Sequence, residues 1–291
     1  MYVQVEEARE GQPVELVERL NVKTYTQVEN RVKLISLFQR KIFIAGNWKS
    51  NGDRAFVNKH CMFLSGAKIN KNTTELCIAP PNIHLLTCKK FLAHLFHIAS
   101  QNISQFDDGP YTGEVSAKQI KDLEVDWTII GHSERRKYFN ENETIVGKKI
   151  EKALENKLSI ILCIGDNKEA KDNNKSLEVI REQLETCFKN IKNNKDMEKI
   201  IIAYEPIWEN EMNISITNEQ VQEMHEFIRN EIIKKVGEEI GNKVRVIFGG
   251  NVDENNCNEL IILKDVDGFL VGSPSIKSSF NNIIESAKLK K

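Results

Sequence analysis

No run of eighteen apolar residues occurs in the 291-residue sequence, so no membrane-spanning helix is expected. An excess of charge is missing too. The chain has 41 Lys and Arg against 42 Asp and Glu, a formal net charge of -1. Nothing there draws the whole molecule to nucleic acid or an acidic membrane, although a local basic site for one small anion stays open. Residues 1–40 lack a basic segment followed by an apolar core. They carry Glu6, Glu7, Glu10, Glu15, Glu18 and Glu29. An intact secretory signal or acid-poor transit peptide is therefore not expected, while a processed form lacking a removed leader remains compatible. No cysteine pair is spaced C-x-x-C. Cys61, Cys77, Cys88, Cys163, Cys187 and Cys257 read as buried thiols in a reducing compartment rather than as disulfides or a zinc site. His94 and His97 have no acidic or Cys companion nearby in sequence, which favours a structural pair over a metal site.

What is present is a repeat of short apolar runs followed by amphipathic stretches. The runs are Ile42–Ala45, Leu76–Ala79, Leu95–Ala99, Trp127–Ile130, Ile160–Ile164, Ile200–Tyr204, Val244–Phe248 and Gly268–Val271. Runs this short and continuously apolar fit parallel strands buried on both faces. Between them, Asn142–Asn156 sets Ile145, Lys149 and Ala153 along one helical side, with Ile150 and Leu154 beside them. Thr217 with Gln220 three residues later forms a capping-box pattern, and Val221, Met224, Phe227, Ile228 and Ile232 follow at helical spacing. Eight strand–helix units with right-handed crossovers predict an α/β fold, a (β/α)8 barrel over residues 41–291. A doubly wound open sheet is the fallback, but no G-x-G-x-x-G follows the first run. Residues 1–40 stand apart as an N-terminal extension. Val14, Leu16, Val17 and Leu20 suggest a short helix and Val32–Phe38 a second apolar stretch; a solvated tail is the alternative. The Lys- and Asn-rich patches at 168–175 and 189–195 read as surface loops or helix ends.

Barrel enzymes place their sites where strands end. After the first run stands Gly46-Asn47-Trp48-Lys49, and after the fourth Gly131-His132-Ser133-Glu134-Arg135-Arg136. Glu205-Pro206-Ile207-Trp208 follows the sixth, Gly249-Gly250-Asn251 the seventh and Gly272-Ser273-Pro274-Ser275 the eighth. Brought to one mouth, these give a Lys, a His and a Glu beside Gly-bearing turns whose N–H groups can cradle a phosphate. That set suits proton transfer with an anion anchor. Each residue also has a plainer role open to it: Glu205 in a salt bridge, His132 as a helix cap, Lys49 as surface. The combination after three separate strands carries the argument.

These motifs resemble those of the triosephosphate isomerase family. The strings are Ala45–Lys49, Gln101–Ser104, Tyr111–Ser116, Gly131–Arg136, Leu162–Gly165, Ala203–Trp208 and Asp265–Gly272, in family order from about Lys41 onward. The resemblance implies interconversion of dihydroxyacetone phosphate and glyceraldehyde 3-phosphate, with no organic cofactor and no metal. It implies Glu205 as the base, His132 as a neutral imidazole that polarises the carbonyl, and Lys49 as the holder of developing negative charge. Asn47, Glu134 and Ser133 would support them, and Cys163 would pack behind Glu205. Asn47, Lys49, Glu211, Asn251, Gly272 and Ser273 would contact the substrate. Gln101–Ser116 resembles the family's long third loop, which docks into a second subunit. A homodimer is implied, with Thr112 reaching the partner's site.

The departures cluster at the phosphate lid. Where the family usually has Ala-Ile-Gly-Thr-Gly-Lys, this chain has Glu209-Asn210-Glu211-Met212-Asn213-Ile214. Two carboxylates arrive where a phosphate dianion is expected, so the Glu211 side chain should point to water. Phe248 replaces the Tyr whose hydroxyl latches the closed lid, Asn251 replaces a Ser, and Ser273-Pro274 replaces Gly-Ala. A lid with altered closure is expected, with weaker phosphate binding and more loss of phosphate from the intermediate. The alternative function is a weakened barrel that acts as a binding or scaffold protein. The expected location is the cytoplasm, with a plastid-like organelle as the alternative after leader removal.

Overall fold

In the computed structural model, which describes residues 40–290, the eight apolar runs are eight strands. These are β1 (Ile42–Asn47), β2 (Thr74–Ala79), β3 (Phe96–Ser100), β4 (Trp127–Ile130), β5 (Ser159–Asp166), β6 (Ile200–Pro206), β7 (Val246–Phe248) and β8 (Gly268–Val271). Each pairs in parallel with the next, and β8 returns to β1 with Phe43 opposite Gly268, so the sheet closes into a barrel. The boundaries differ from the sequence expectation by no more than three residues, where the hydrogen-bond ladder outlasts or stops short of the apolar run. The helix and apolar stretch expected before Arg40 lie outside the described residues. Arg40 itself pairs with Asp267, Nε to Oδ1 at 2.7 Å.

The strands are largely apolar because alternate residues enter different cores. Phe43, Ala45, Cys77, Ala99, Trp127, Ile129, Cys163, Ala203 and Ile247 fill the barrel interior. Ile42, Ile44, Leu76, Ile78, Ile160, Leu162 and Ile202 pack outward against the helices. Phe43 and Trp127 meet across the interior at 4.9 Å between ring centres, which closes its base. This alternation has a consequence for the site. Continuing the interior positions along β1 and β6 reaches Asn47 and Glu205, so both side chains arrive at the C-terminal mouth aimed inward.

The helices begin where their caps dictate. Thr217 and Gln220 complete the expected capping box, and the helix runs Asn218–Val236. Asn142 caps Glu143–Glu155 by accepting the Ile145 N–H. Lys149, expected among apolar neighbours of that helix, is buried. Its ammonium donates to Asn102 Oδ1 at 2.8 Å and pairs with Glu141. Opposite the mouth, Arg229 joins the long helix to the segment before β8 through Asp265 (2.7 Å) and Asp267 (2.6 Å). All six cysteines are free and buried, as read from their apolar settings. His97 stacks near Phe43 and Trp127, while His94 is exposed in the preceding turn. No described helix is long and apolar enough to cross a membrane.

Candidate active site

The ends of β1, β4, β6, β7 and β8 surround one cavity of about 580 Å³. Its lining includes Asn47, Lys49, His132, Ser133, Glu134, Glu205, Glu211, Asn251, Gly272 and Ser273. Of the residues to which the resemblance gives a catalytic, substrate-contacting or supporting role, Cys163 and Thr112 lie outside it. Cys163 is fully buried behind Glu205; burial, then the Glu205 charge, pushes its thiol far up, so it stays protonated and inert. Thr112 is exposed on the Gln101–Ser116 segment.

The polar groups lie in sequence along one wall of the cavity. Lys49 Nζ donates to Glu134 Oε1 at 2.6 Å. Glu134 Oε2 lies 3.8 Å from His132 Nδ1, and His132 Nε2 lies 3.2 Å from Glu205 Oε1. The other Glu205 oxygen accepts the Ser133 N–H at 2.9 Å. His132 caps the helix Ser133–Phe139, its Nδ1 accepting the Glu134 N–H at 3.2 Å. A nitrogen that accepts has no proton to give. The ring is therefore a neutral imidazole whose proton sits on Nε2, facing Glu205 and the cavity. Capping and charge-neutral hydrogen bonding are here one arrangement.

Lys49 is held in the left-handed region at φ 53°, a conformation that costs a non-glycine residue on the order of 1 kcal/mol. Two bonds fix it there. Its N–H donates to Asn47 Oδ1 (3.0 Å), and its carbonyl accepts Gln101 Nε2 (2.8 Å), which also reaches the Ala79 carbonyl (2.8 Å). This positioning use of Gln101 was not legible in the sequence, since a Gln after a strand signals nothing by itself. Gly165 is a second omission. A Cβ there would lie 2.1 Å from the Glu205 carbonyl oxygen, so only glycine lets β5 pass the backbone of Glu205.

The lid segment forms a short helix, Trp208–Met212, ended by Asn213 at φ 54°. The expected glycine position is thus filled by an Asn in the left-handed region, a residue that tolerates it. Glu211 is exposed, as expected, but its carboxylate is not simply turned to water: Oε2 accepts the Lys168 N–H at 2.8 Å. The Glu211 N–H is engaged with the Ile207 carbonyl at 3.4 Å. Glu209, by contrast, is buried at 3% exposure. Its carboxylate accepts the Ile216 N–H (2.9 Å) and the Asn251 N–H (3.2 Å). Burial pushes its pKa up, and the two N–H groups oppose that only in part. Behind the seventh turn, Phe248 packs against His225, whose Nδ1 bonds the Asp265 carbonyl at 3.2 Å; burial lowers His225 to about 4. Among the described residues no cluster of three or more His, Cys, Asp or Glu side chains could hold a metal ion.

The chain matches the family model for triosephosphate isomerase over residues 42–287. It is 38% identical over 247 residues to the triosephosphate isomerase of Paracoccidioides lutzii, an alignment that covers 85% of this chain and 98% of that protein. It is 35% identical over 247 residues to the Emericella nidulans protein of the same name and 36% over 249 residues to that of Aspergillus oryzae, with the same coverage. With the barrel closed, the strand-end residues gathered and the match spanning nearly all of the described chain, the protein belongs to the triosephosphate isomerase family.

Proposed function

We propose that the chain interconverts dihydroxyacetone phosphate and glyceraldehyde 3-phosphate through an enediolate. The observation that carries this reading is the run Lys49–Glu134–His132–Glu205 along one cavity wall, with a carboxylate, an imidazole N–H and an ammonium all facing the space a three-carbon ligand would fill. Glu205 takes the carbon-bound proton and returns it to the neighbouring carbon. Both its oxygens are engaged here, so catalysis requires the carboxylate to exchange the Ser133 N–H for the substrate carbon. His132 donates from Nε2 to the substrate oxygens, and Lys49 stabilises the charge that develops on them. Glu134 orients both, Lys49 through its carboxylate and His132 through its backbone N–H. The phosphate then falls to backbone N–H groups of the lid, Asn251 and Ser273, beside Gly272.

Dimerisation through Gln101–Ser116 belongs to the same proposal. Phe106 and Tyr111 stack at 4.2 Å in that segment and remain partly exposed, an apolar pair suited to a subunit contact. The cytoplasm is the compartment proposed. The scaffold alternative has no observation of its own in its favour. A coupled assay with glyceraldehyde 3-phosphate tests the function. Wild type is expected to turn over, and Glu205→Gln to lose on the order of 10³-fold or more in kcat. No turnover by wild type, or an undiminished rate in the variant, rejects the assignment.

A further inference from the structure

The anion cradle at the seventh turn already holds an anion supplied by the chain. Glu209 Oε2 accepts the Asn251 N–H at 3.2 Å while Oε1 accepts the Ile216 N–H at 2.9 Å. The carboxylate is buried, and among the described residues no cationic side chain pairs with it. Its fit depends on Gly250, where a Cβ would stand 2.6 Å from Oε2. A second tie, Asn251 Nδ2 to Asn210 Oδ1 at 3.4 Å, fastens the same stretch of lid to the same turn. An N–H carries one proton, and two anions on it would also repel at short range in a partly dehydrated site.

We propose that Glu209 is a specificity-determining residue that competes with the substrate's phosphate for the Asn251 N–H, so that a dianion binds only when the Glu209 carboxylate is displaced. The inference rests on the reading of Asn251 as a phosphate ligand. It explains how a lid can carry a carboxylate beside a phosphate site without direct conflict: the two occupy the cradle in turn. Phosphate affinity is then set by the cost of expelling Glu209, and the lid is tied down by its own side chain when no dianion is present. Glu209 acts through Asn251 and Ile216, as a positioning residue, and touches no reacting atom.

Inorganic sulfate, a tetrahedral dianion at neutral pH, is a suitable probe because its binding requires no turnover. Calorimetric titration of the full chain at pH 7 is expected to show sulfate bound about tenfold more tightly by Glu209→Gln and Glu209→Ala than by wild type, the size of one charge-assisted hydrogen bond released. In the isomerase assay the gain should fall in KM rather than kcat, a split that a merely structural role would not produce. Folded variants that bind sulfate no more tightly than wild type overturn the proposal. If the variants fail to fold, amide exchange on wild type decides. Saturating sulfate should speed exchange at Ile216, which loses its acceptor as Glu209 leaves; unchanged or slower exchange there overturns the idea. Tighter sulfate binding in a chain with no isomerase activity would uphold the competition and reject the function, so the two failures are distinguishable.

Discussion

Two halves of one cavity are built on different physical terms. On the wall formed by β1, β4 and β6, each charged group is met by a partner: Lys49 by Glu134, Glu205 by the Ser133 N–H and His132. On the lid wall, Glu209 is a buried carboxylate held by two backbone N–H groups, and Glu211 is an exposed one on the N–H of Lys168. The first wall satisfies its own charges, as a wall pre-organised for the proposed reaction would. The second is organised around its own anions, at the place proposed for a ligand anion. The lesson is that chemistry and anchoring can diverge within one site. A rigid strand end admits few alternatives, whereas a lid built from backbone donors accepts any acceptor that reaches them.

Substitutions can break this contrast in order of size. Lys49→Met should cost most, on the order of 10³-fold in kcat/KM in the coupled assay, because it removes transition-state charge stabilisation and strands Glu134. A change confined to KM would place Lys49 in binding alone. Gly165→Ala should lower stability by about 3 kcal/mol or more, since its methyl collides with the Glu205 backbone; urea unfolding reads this directly.

Behind the lid wall the contrast acquires a pH dependence. His225 is wholly buried with a pKa lowered to about 4, from an ordinary value of 6.5, by burial. Below pH 6.5 the unfolded chain takes up a proton there that the folded chain refuses until about pH 4. The stability held above pH 6.5 is therefore lost as pH falls through that window, by on the order of 3 kcal/mol. Unfolding midpoints for His225→Gln should show a flatter acid limb than wild type; parallel limbs would show that the proton goes elsewhere. The smallest effect belongs to Glu211→Ala, which frees one exposed N–H and should shift stability by about 1 kcal/mol or less in the same unfolding experiment.

Much of this was legible in the sequence, and what was not has a physical reason. The strands could be read because a barrel strand is buried on both faces, which leaves eight short, largely apolar runs. The chemical wall could be read because its residues directly follow those runs, as Lys49 and Glu205 do. The lid was visible only as a departure from family pattern. Sequence marked Glu209 and Glu211 alike as misplaced charges, but only coordinates separate the buried carboxylate on Asn251 from the exposed one on Lys168. Gln101 and Gly165 stood in the sequence only as members of motif strings, without a role, because their importance lies in a backbone atom distant in sequence, a carbonyl of Lys49 and one of Glu205.

In the proposed reaction one carboxylate, Glu205, moves a carbon-bound proton within reach of His132 and Lys49. Turnover of glyceraldehyde 3-phosphate in D2O, followed by proton NMR, tests it most directly, because a proton held on a carboxylic acid exchanges with solvent. Wild type is expected to place carbon-bound deuterium in the dihydroxyacetone phosphate formed, with the rate of labelling falling on the order of 10³-fold in Glu205→Gln. Labelling at the wild-type rate in that variant would contradict the proposed reaction.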